Sequence, residues 1–498
     1  MLDNTRMLRD GDIFLLSPGE NFSTEELLLL AEKKFPSALV ADNSEKKFLT
    51  HWFEKKYKHY SEPLMDVYYL ESLKELSGFL TSAFYDYPSK KIKVCAITGT
   101  NGKTTVVNAA ALAFAGFEEA CASMGTLGLI VYRKDIDSIQ KQKIFDFELT
   151  TPSAALLQWF LQKLSKDGVK RLFLEASSIG IVQGRMLGCE IRNAALTNIT
   201  DDHIEYHGSK ENLESAKTLL FTIPNLESAV FLNSDRQKKR IYEKISKKLS
   251  PHVNTVLVSV QSNKKNSDIN LKINSASEDS TVVDYESDAR NIMGVKVPAI
   301  GKHNIENAAI VAGLMFASGK SSEEIVFGLK EFETPPGRMD FLKSKNCPLV
   351  CIDYAHTPDA LMHILKTLRP QSRARKGKLF CVFGCGGGRD KMKRSQMGRV
   401  VAEFCDGGFV TSDNPRFENV EKISEETIEG IETKHRDRWK IINDRSKAIH
   451  YSILNANKND VILIAGKGNE KYQLIKSKKI PFSDYLEVQS AFEKRKIN

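Results

Sequence analysis

The chain alternates short apolar runs with amphipathic stretches, and this rhythm extends from its first residues to its last. Asp12–Leu16 and Ala38–Ala41 are strand-like, and Ser23–Lys34 between them has helical apolar spacing opened by a hydroxyl cap at Ser23. A second series starts with the apolar run at Val94, breaks at a glycine turn in VCAITGTNGKTT, and resumes as a helix over Val106–Phe114. It predicts further strands at Arg171–Ala176, Ala194–Asn198 and Ala229–Asn233, and a strong helix over Asn304–Ala317. Residues 236–290 are polar, rich in Lys and Ser, and irregular with some β-like alternation, so they read as an elaboration on this series. Thr334-Pro335-Pro336-Gly337-Arg338 then breaks the pattern, because two prolines and a glycine end any helix. Beyond it the rhythm restarts with strand Leu349–Asp353, helix Pro358–Leu368, strand Lys378–Gly384, helix Asp390–Phe404, strand Gly408–Ser412 and late strand Val461–Ala465.

Strands that alternate with helices make mostly parallel sheets covered on both faces. The expected fold class is therefore α/β in three domains: a small α/β unit over 1–90, a central mostly parallel phosphate-loop unit over 91–336, and a doubly wound Rossmann-like unit over 337–498. A length of 498 residues is too great for one core and fits about two to four domains.

Composition changes the picture little. Apolar residues at 41% and charged residues at 27% are ordinary for a globular protein, and no run nears the roughly 18 apolar residues of a membrane span. MLDNTRMLRDGD has no apolar core of a secretory signal. Eight scattered cysteines, including the spaced pairs Cys347/Cys351 and Cys381/Cys385, sit in strand-like surroundings and read as reduced core residues, so a cytoplasmic location is expected. The net charge of +9 suits a phosphate-bearing partner. Basic clusters such as Lys238-Lys239-Arg240 lack interleaved aromatics, so no nucleic-acid partner is expected.

Candidate chemistry begins at the glycine turn. Strand, glycine loop and helix present backbone N–H groups and a helix N-terminus to a polyphosphate. In Gly99-x-x-Gly102-Lys103-Thr104, Lys103 would reach the outer phosphates and the Thr104 hydroxyl would help hold Mg²⁺. A full phosphate loop has a further glycine where Ile97 stands, so this is a shortened form. Glu175 ends the strand RLFLEASS, and His203 follows another strand in TNITDDHIEYHG; both are candidate metal ligands, Glu175 the better matched to Mg²⁺. In the third unit, Gly384–Lys391, Asp353-Tyr354-Ala355-His356, Asp413–Arg416 and Gly466–Glu470 all follow predicted strands. Polar motifs at the strand ends of two units imply two domains facing one cleft.

Taken together, Gly99–Thr105, Glu175–Ser178, Thr197–Gly208, Lys302–Asn307, Gly337-Arg338, Asp353–Asp359, Gly384–Arg394 and Asp413–Arg416 resemble the Mur ligases, in order and over almost the whole chain. The resemblance implies a UDP-binding first domain, an ATP-binding central domain, and a last domain that completes the ATP site and binds an amino acid. It implies an ATP-dependent ligase of peptidoglycan synthesis, and hence of cell shape and division. The substrate carboxylate would be phosphorylated to an acyl phosphate and then attacked by an amine. Lys103, Glu175, His203 and Lys217 would be the catalytic set, with a pair of Mg²⁺ ions held by Thr104, Glu175, His203 and Lys217. Lys217 alone reads as a solvated helix lysine, whereas the resemblance makes it a carbamylated one. Carbamylation needs the neutral amine, which costs about 4–5 kcal/mol at pH 7 unless burial lowers the pKa.

The same resemblance assigns ATP to Gly99, Thr100, Asn101, Gly102, Lys103, Thr104, Thr105, Asn304, Asn307, Arg338, Asp353 and His356. It lays UDP-N-acetylmuramoyl-L-Ala-D-Glu along Leu2, Asn4, Thr150, Thr151, Ser177, Gln183 and Arg185. Members that add meso-diaminopimelate carry Asp-Asn-Pro-Arg, here Asp413, Asn414, Pro415 and Arg416, whereas members that add lysine lack the arginine. A guanidinium fork pairs with the extra carboxylate of diaminopimelate. Arg389, Gly466 and Glu470 match the remaining amino-acid contacts, Glu470 suiting the distal ammonium. Ile179, Asn469 and Asn4 depart from the family pattern, where histidine, histidine and serine are usual. The alternatives are the same ligation with L-lysine, or a phosphate-loop ATPase or GTPase switch without ligase activity; the second leaves the amino-acid motifs unexplained.

Overall fold

The computed structural model describes the chain apart from residues 18–22, 35, 57–64, 119, 137, 201, 261–266 and 498. Among the described residues the first domain is a three-stranded parallel sheet, in the order Ile13–Leu16, Ala38–Asp42, Asp66–Leu70. Its first helix, Thr24–Glu32, is capped as expected: Ser23 accepts from the Glu26 amide while Glu26 reaches back to the Ser23 amide. The strand Asp66–Leu70 and the helices Lys46–Lys56 and Leu73–Phe84 have no counterpart in the pattern reading. Asp66–Leu70 shows half-exposed alternation in place of an apolar run, which hides it.

The central domain is built on an eleven-stranded sheet with Lys93–Thr98 inside it, flanked by Ile191–Leu196 and Arg171–Glu175. From Ile191–Leu196 the sheet runs outward through Ser228–Leu232, Asn254–Val260, Ile269–Ala276 and Thr281–Ser287 to Asn291–Val297. On the other side Ala120–Gly125, Gly128–Lys134 and Ile139–Phe145 complete it. The inner strands are parallel and both margins are antiparallel hairpins. This corrects the irregular reading of residues 236–290: they hold the helix Arg236–Ser246 and three sheet strands, with residues 261–266 outside the described part. Val256, Val258, Ile269, Leu271, Val283 and Tyr285 face the core, while Lys272, Ser275 and Ser277 face water. One-sided burial of that kind looks polar overall, and it conceals strands from a composition-led reading.

The third domain has a six-stranded sheet ordered Asp340–Leu342, Leu349–Asp353, Val461–Ala465, Leu379–Phe383, Gly407–Val410, Trp439–Ile441, parallel except for the first pair. The predicted helix at Pro358 runs longer, to Ala374, with Pro370 inside it. All eight cysteines are free thiols, seven of them buried. No helix of the described residues is long and apolar enough to cross a membrane. In both large sheets the site loops leave the carboxyl ends of neighbouring strands, where open parallel sheets place their ligands.

Candidate active site

The phosphate loop is shaped by its glycines. Gly99 and Gly102 have φ of +146° and +88°, which disfavour a side chain. A Cβ on Gly102 would lie 2.4 Å from Asn307 Oδ1, so backbone and Asn307 close on each other. The helix Lys103–Ala115 starts from Gly102 with no side-chain cap, leaving its first-turn N–H groups for an anion. Lys103 Nζ donates to the carbonyls of Gly99 (2.8 Å) and Thr100 (2.9 Å), anchored over the loop it belongs to.

Glu175 is buried at the end of its strand and accepts from Thr104 Oγ1 at 3.1 Å. It is also held by the Thr126 amide (2.8 Å) and hydroxyl (3.3 Å), contacts that sequence reasoning missed. Gly125 permits this, since a Cβ there would sit 2.2 Å from Glu175 Oε1. A threonine hydroxyl beside a carboxylate at the head of a phosphate loop is a hard-oxygen donor set that fits Mg²⁺. His203 does not join that pair. Its ring lies 3.5 Å from Asp202 and 3.7 Å from Glu205, and burial lowers its pKa against the pull of Asp202. Among the described residues no group of three or more His, Cys, Asp or Glu side chains is arranged to hold a metal.

Lys217 is not a solvated helix lysine. It is 3% exposed, and its Nζ donates to the same Gly99 carbonyl that Lys103 uses, at 2.9 Å. Burial first, and then the neighbouring Lys103 ammonium, push its pKa well below the ordinary lysine value. Both influences favour the neutral amine.

Beside Glu175 the residues matched to the muramoyl dipeptide form one connected network. Thr151 Oγ1 donates to the Glu175 carbonyl (2.7 Å) and lies 2.9 Å from Ser177 Oγ. Arg185 donates to the Thr151 carbonyl (2.9 Å) and to Gln183 Oε1 (2.5 and 3.0 Å). Thr150 reaches this group through the Thr126 hydroxyl. The first domain joins here too: Ser153 Oγ donates to the part-buried Asp3, a link the sequence did not announce. Asn4 accepts from the Arg6 amide. Leu2 is buried, and its N–H and C=O are already paired with Ile13 and Leu15.

The third domain closes over the loop. Arg338 stacks 4.5 Å from the Tyr354 ring centre and reaches Thr104 Oγ1 at 3.5 Å. Asn101 donates to Asp359 (3.2 Å), and Lys393 pairs with Asp202 at 2.6 Å across the domain boundary. Burial raises the Asp202 carboxyl, but His356, His203 and Lys393 together hold it well below the usual carboxylate range. Between the domains lies a cavity of about 320 Å³, lined by Asn101, Gly102, Asn304, Asn307, Arg338 and Asp353 among others. Asp353 accepts from the Met339 and Ala355 amides, and burial lifts its carboxyl to about 6. His356 stays exposed, its Nδ1 2.9 Å from the Tyr354 carbonyl.

In the loop after strand Gly407–Val410, Arg416 adopts a left-handed φ of +52° and pairs in β fashion with the hairpin at Ile475. Its guanidinium is held by the Gly387 carbonyl at 2.7 Å. Burial and the nearby Arg389 both work to lower its pKa, while Asp413 and Glu470 oppose them. Asn414 Nδ2 donates to Glu470 at 2.9 Å. Pro415 shapes the same loop, its carbonyl packed so closely on Gly387 that a Cβ there would lie 2.0 Å away. Gly466 is packed likewise against Asp413 Oδ2. Arg389 lies 3.8 Å from Glu205 of the central domain. Charges of both signs, Arg416 and Arg389 with Asp413 and Glu470, thus act on one another here.

Known proteins match this arrangement. Residues 97–315 fit the family model of the Mur ligase middle domain, and residues 337–468 that of the Mur ligase, glutamate ligase domain. The UDP-N-acetylmuramoyl-L-alanyl-D-glutamate–2,6-diaminopimelate ligase of Janthinobacterium is 35% identical over 97% of this chain and 92% of its own length. That of Pseudomonas putida is 32% identical over 98% and 93%. A solved structure of such a ligase superposes with a TM-score of 0.61 at 28% identity, covering 100% of this chain and 94% of the other. A MurF ligase from Thermotoga maritima in complex with ADP shares the fold, with a TM-score of 0.64 at 18% identity over 99% and 97%. With two family models matched in order and relatives more than 30% identical along nearly its whole length, the chain belongs to the Mur ligase family.

Proposed function

We propose that this protein joins meso-2,6-diaminopimelate to UDP-N-acetylmuramoyl-L-alanyl-D-glutamate at the expense of ATP, in the cytoplasm, as a step of peptidoglycan precursor synthesis. The observation that carries the reading is the shared cleft: the phosphate loop with Thr104 and Glu175 faces the third domain through Arg338, Asp359 and Lys393. The specificity is supported by Arg416 and Glu470, and by relatives named for diaminopimelate.

A carboxylate does not condense with an amine at neutral pH, so an oxygen of the D-Glu carboxylate first attacks the γ-phosphorus, releasing ADP and leaving an acyl phosphate. The amine then attacks the acyl carbon, the tetrahedral adduct expels phosphate, and the amine nitrogen gives up a proton. Both steps crowd negative charge, so aimed donors supply much of the rate. The loop amides and Lys103 hold the phosphates; Thr151, Ser177, Gln183 and Arg185 orient the dipeptide end beside Glu175. Bound Mg²⁺, held by Thr104 and Glu175 with His203 and Lys217 completing its surroundings, would neutralise phosphate charge. Lys217 serves as its carbamate, formed from the neutral amine that burial and Lys103 favour.

The test is phosphate release from ATP with the muramoyl dipeptide, comparing meso-diaminopimelate with L-lysine. Turnover with diaminopimelate at least roughly 10²-fold above lysine is expected, since lysine offers no distal carboxylate to the part-buried Arg416 guanidinium. Turnover with lysine alone would refute the specificity, and turnover with neither would refute the ligase reading.

A further inference from the structure

The ligation scheme gives no task to Lys467. Its side chain is 0% exposed, and its ammonium donates to Glu470 Oε2 at 2.7 Å and to Asn414 Oδ1 at 3.1 Å. Asn414 Nδ2 donates to that same Glu470 oxygen at 2.9 Å, while the Leu474 amide is a second donor to Asn414 Oδ1. The three side chains form a closed ring of hydrogen bonds that fixes the Asn414 amide in one orientation. Glu470 Oε2 is filled by two donors, so a ligand cation has the other oxygen of this partly exposed carboxylate to approach. Asp413 is a second, fully buried carboxylate in the same pocket, and Lys467 is the strongest influence opposing the burial that raises its pKa.

Other buried cations of this domain face elsewhere. Arg445, equally inaccessible, forks onto Asp484 of the last helix at 2.7 Å, and Arg394 spans Glu418 and Glu426. Both staple the fold. Lys467 instead contacts two residues matched to amino-acid recognition, in a loop braced by the hairpin that also pairs with Arg416.

We infer that Lys467 is a specificity-determining positioning residue: its ammonium holds Glu470 and Asn414 so that one Glu470 oxygen meets the distal ammonium of the incoming amino acid while Arg416 takes the distal carboxylate. The inference rests on the ligase reading above. Without the cation, Asp413 loses the strongest charge that opposes its burial, with Arg445 and His356 remaining, and Glu470 loses the donor that holds it in place.

The experiment uses the full-length chain and phosphate release with ATP and the muramoyl dipeptide. Lys467→Met raises KM for meso-diaminopimelate at least about tenfold and leaves KM for ATP within roughly twofold, as expected for loss of one charge-assisted contact at a single subsite. Glu470→Gln raises the same KM, and the double variant is no worse than Glu470→Gln alone, because the lysine acts through the glutamate. The double variant also removes the ion pair as a unit, so it carries the test if Lys467→Met does not fold. An unchanged KM for diaminopimelate in Lys467→Met overturns the inference. So do equal rises in both KM values, or a double variant whose penalty is the product of the single ones. If the wild-type chain turns over with neither amino acid, the ligase reading falls and takes this inference with it; wild-type turnover with these failures in the variants overturns the inference alone.

Discussion

The phosphate loop and the amino-acid pocket are both anion-and-cation traps, yet they are built from opposite materials. The loop is backbone: two glycines at positive φ, an uncapped helix start, and Lys103 tied to carbonyls three and four residues back. The pocket is side chains recruited from distant segments, with Gly387, Asn414, Arg416, Lys467, Glu470 and Leu474 meeting through buried charges. A polyphosphate is the same in every such reaction, so a short rigid cradle suffices. The choice of amine must be adjustable, and side chains change one at a time. Damage to the first region should therefore remove turnover with every amine, and damage to the second should change which amine is joined.

The sharpest test of that contrast is Lys103→Ala, expected to lower kcat by about 10²–10³ with either amino acid, measured by phosphate release. A variant that kept turnover but changed amine preference would break the distinction. Lys217→Ala should cost about 10²-fold, and a short carboxylic acid in the assay should restore part of it by standing in for the carbamate. Mass spectrometry of the intact chain at raised bicarbonate would look for the added carboxyl group directly. Arg416→Lys, which keeps the charge and loses the fork, should raise KM for diaminopimelate about tenfold and leave KM for ATP unchanged. The smallest effect belongs to Asp353. With its carboxyl lifted to about 6, it loses charge as pH falls through that value, so KM for ATP should rise a few-fold below it. Asp353→Asn should flatten that dependence. The sign for stability is the reverse: the folded chain holds a proton that the unfolded one has released between 3.8 and about 6, so this carboxyl's contribution falls as pH rises through that window.

The sequence exposed the local half of this molecule more readily than the non-local half. Strand, glycine turn and helix at Lys93–Ala115 were legible because each part depends on neighbours within a few residues. Glu175 could be placed at a strand end, and Thr151 and Ser177 by the family resemblance, but Thr126, which holds Glu175, comes from a turn with no signal of its own. Lys467 lay within the Gly466–Glu470 motif, but its burial depends on Asn414, some fifty residues away, which the sequence does not place beside it. Lys217 read as surface because its helix, KENLESAKT, is mostly polar; only tertiary packing buries it. The Asp3–Ser153 and Lys393–Asp202 links join segments far apart in the chain, and spacing carries no record of such pairs.

The antiparallel margins of the large sheet have a consequence for how the protein behaves in a crowded solution. A wide parallel sheet ending on an apolar strand would offer unpaired backbone to any neighbour and grow by edge-to-edge addition. Here one outermost strand is IQKQKIF, with its lysines and glutamines in water, and the other is NIMGVKV, bent at Gly294 (φ +70°) and bulged in its pairing with its partner. Charge on one margin and a kink on the other make poor templates for a further strand. Trimming either hairpin to shorten the protein would uncover a flatter, more apolar neighbour, and precipitation would precede any loss of catalytic chemistry.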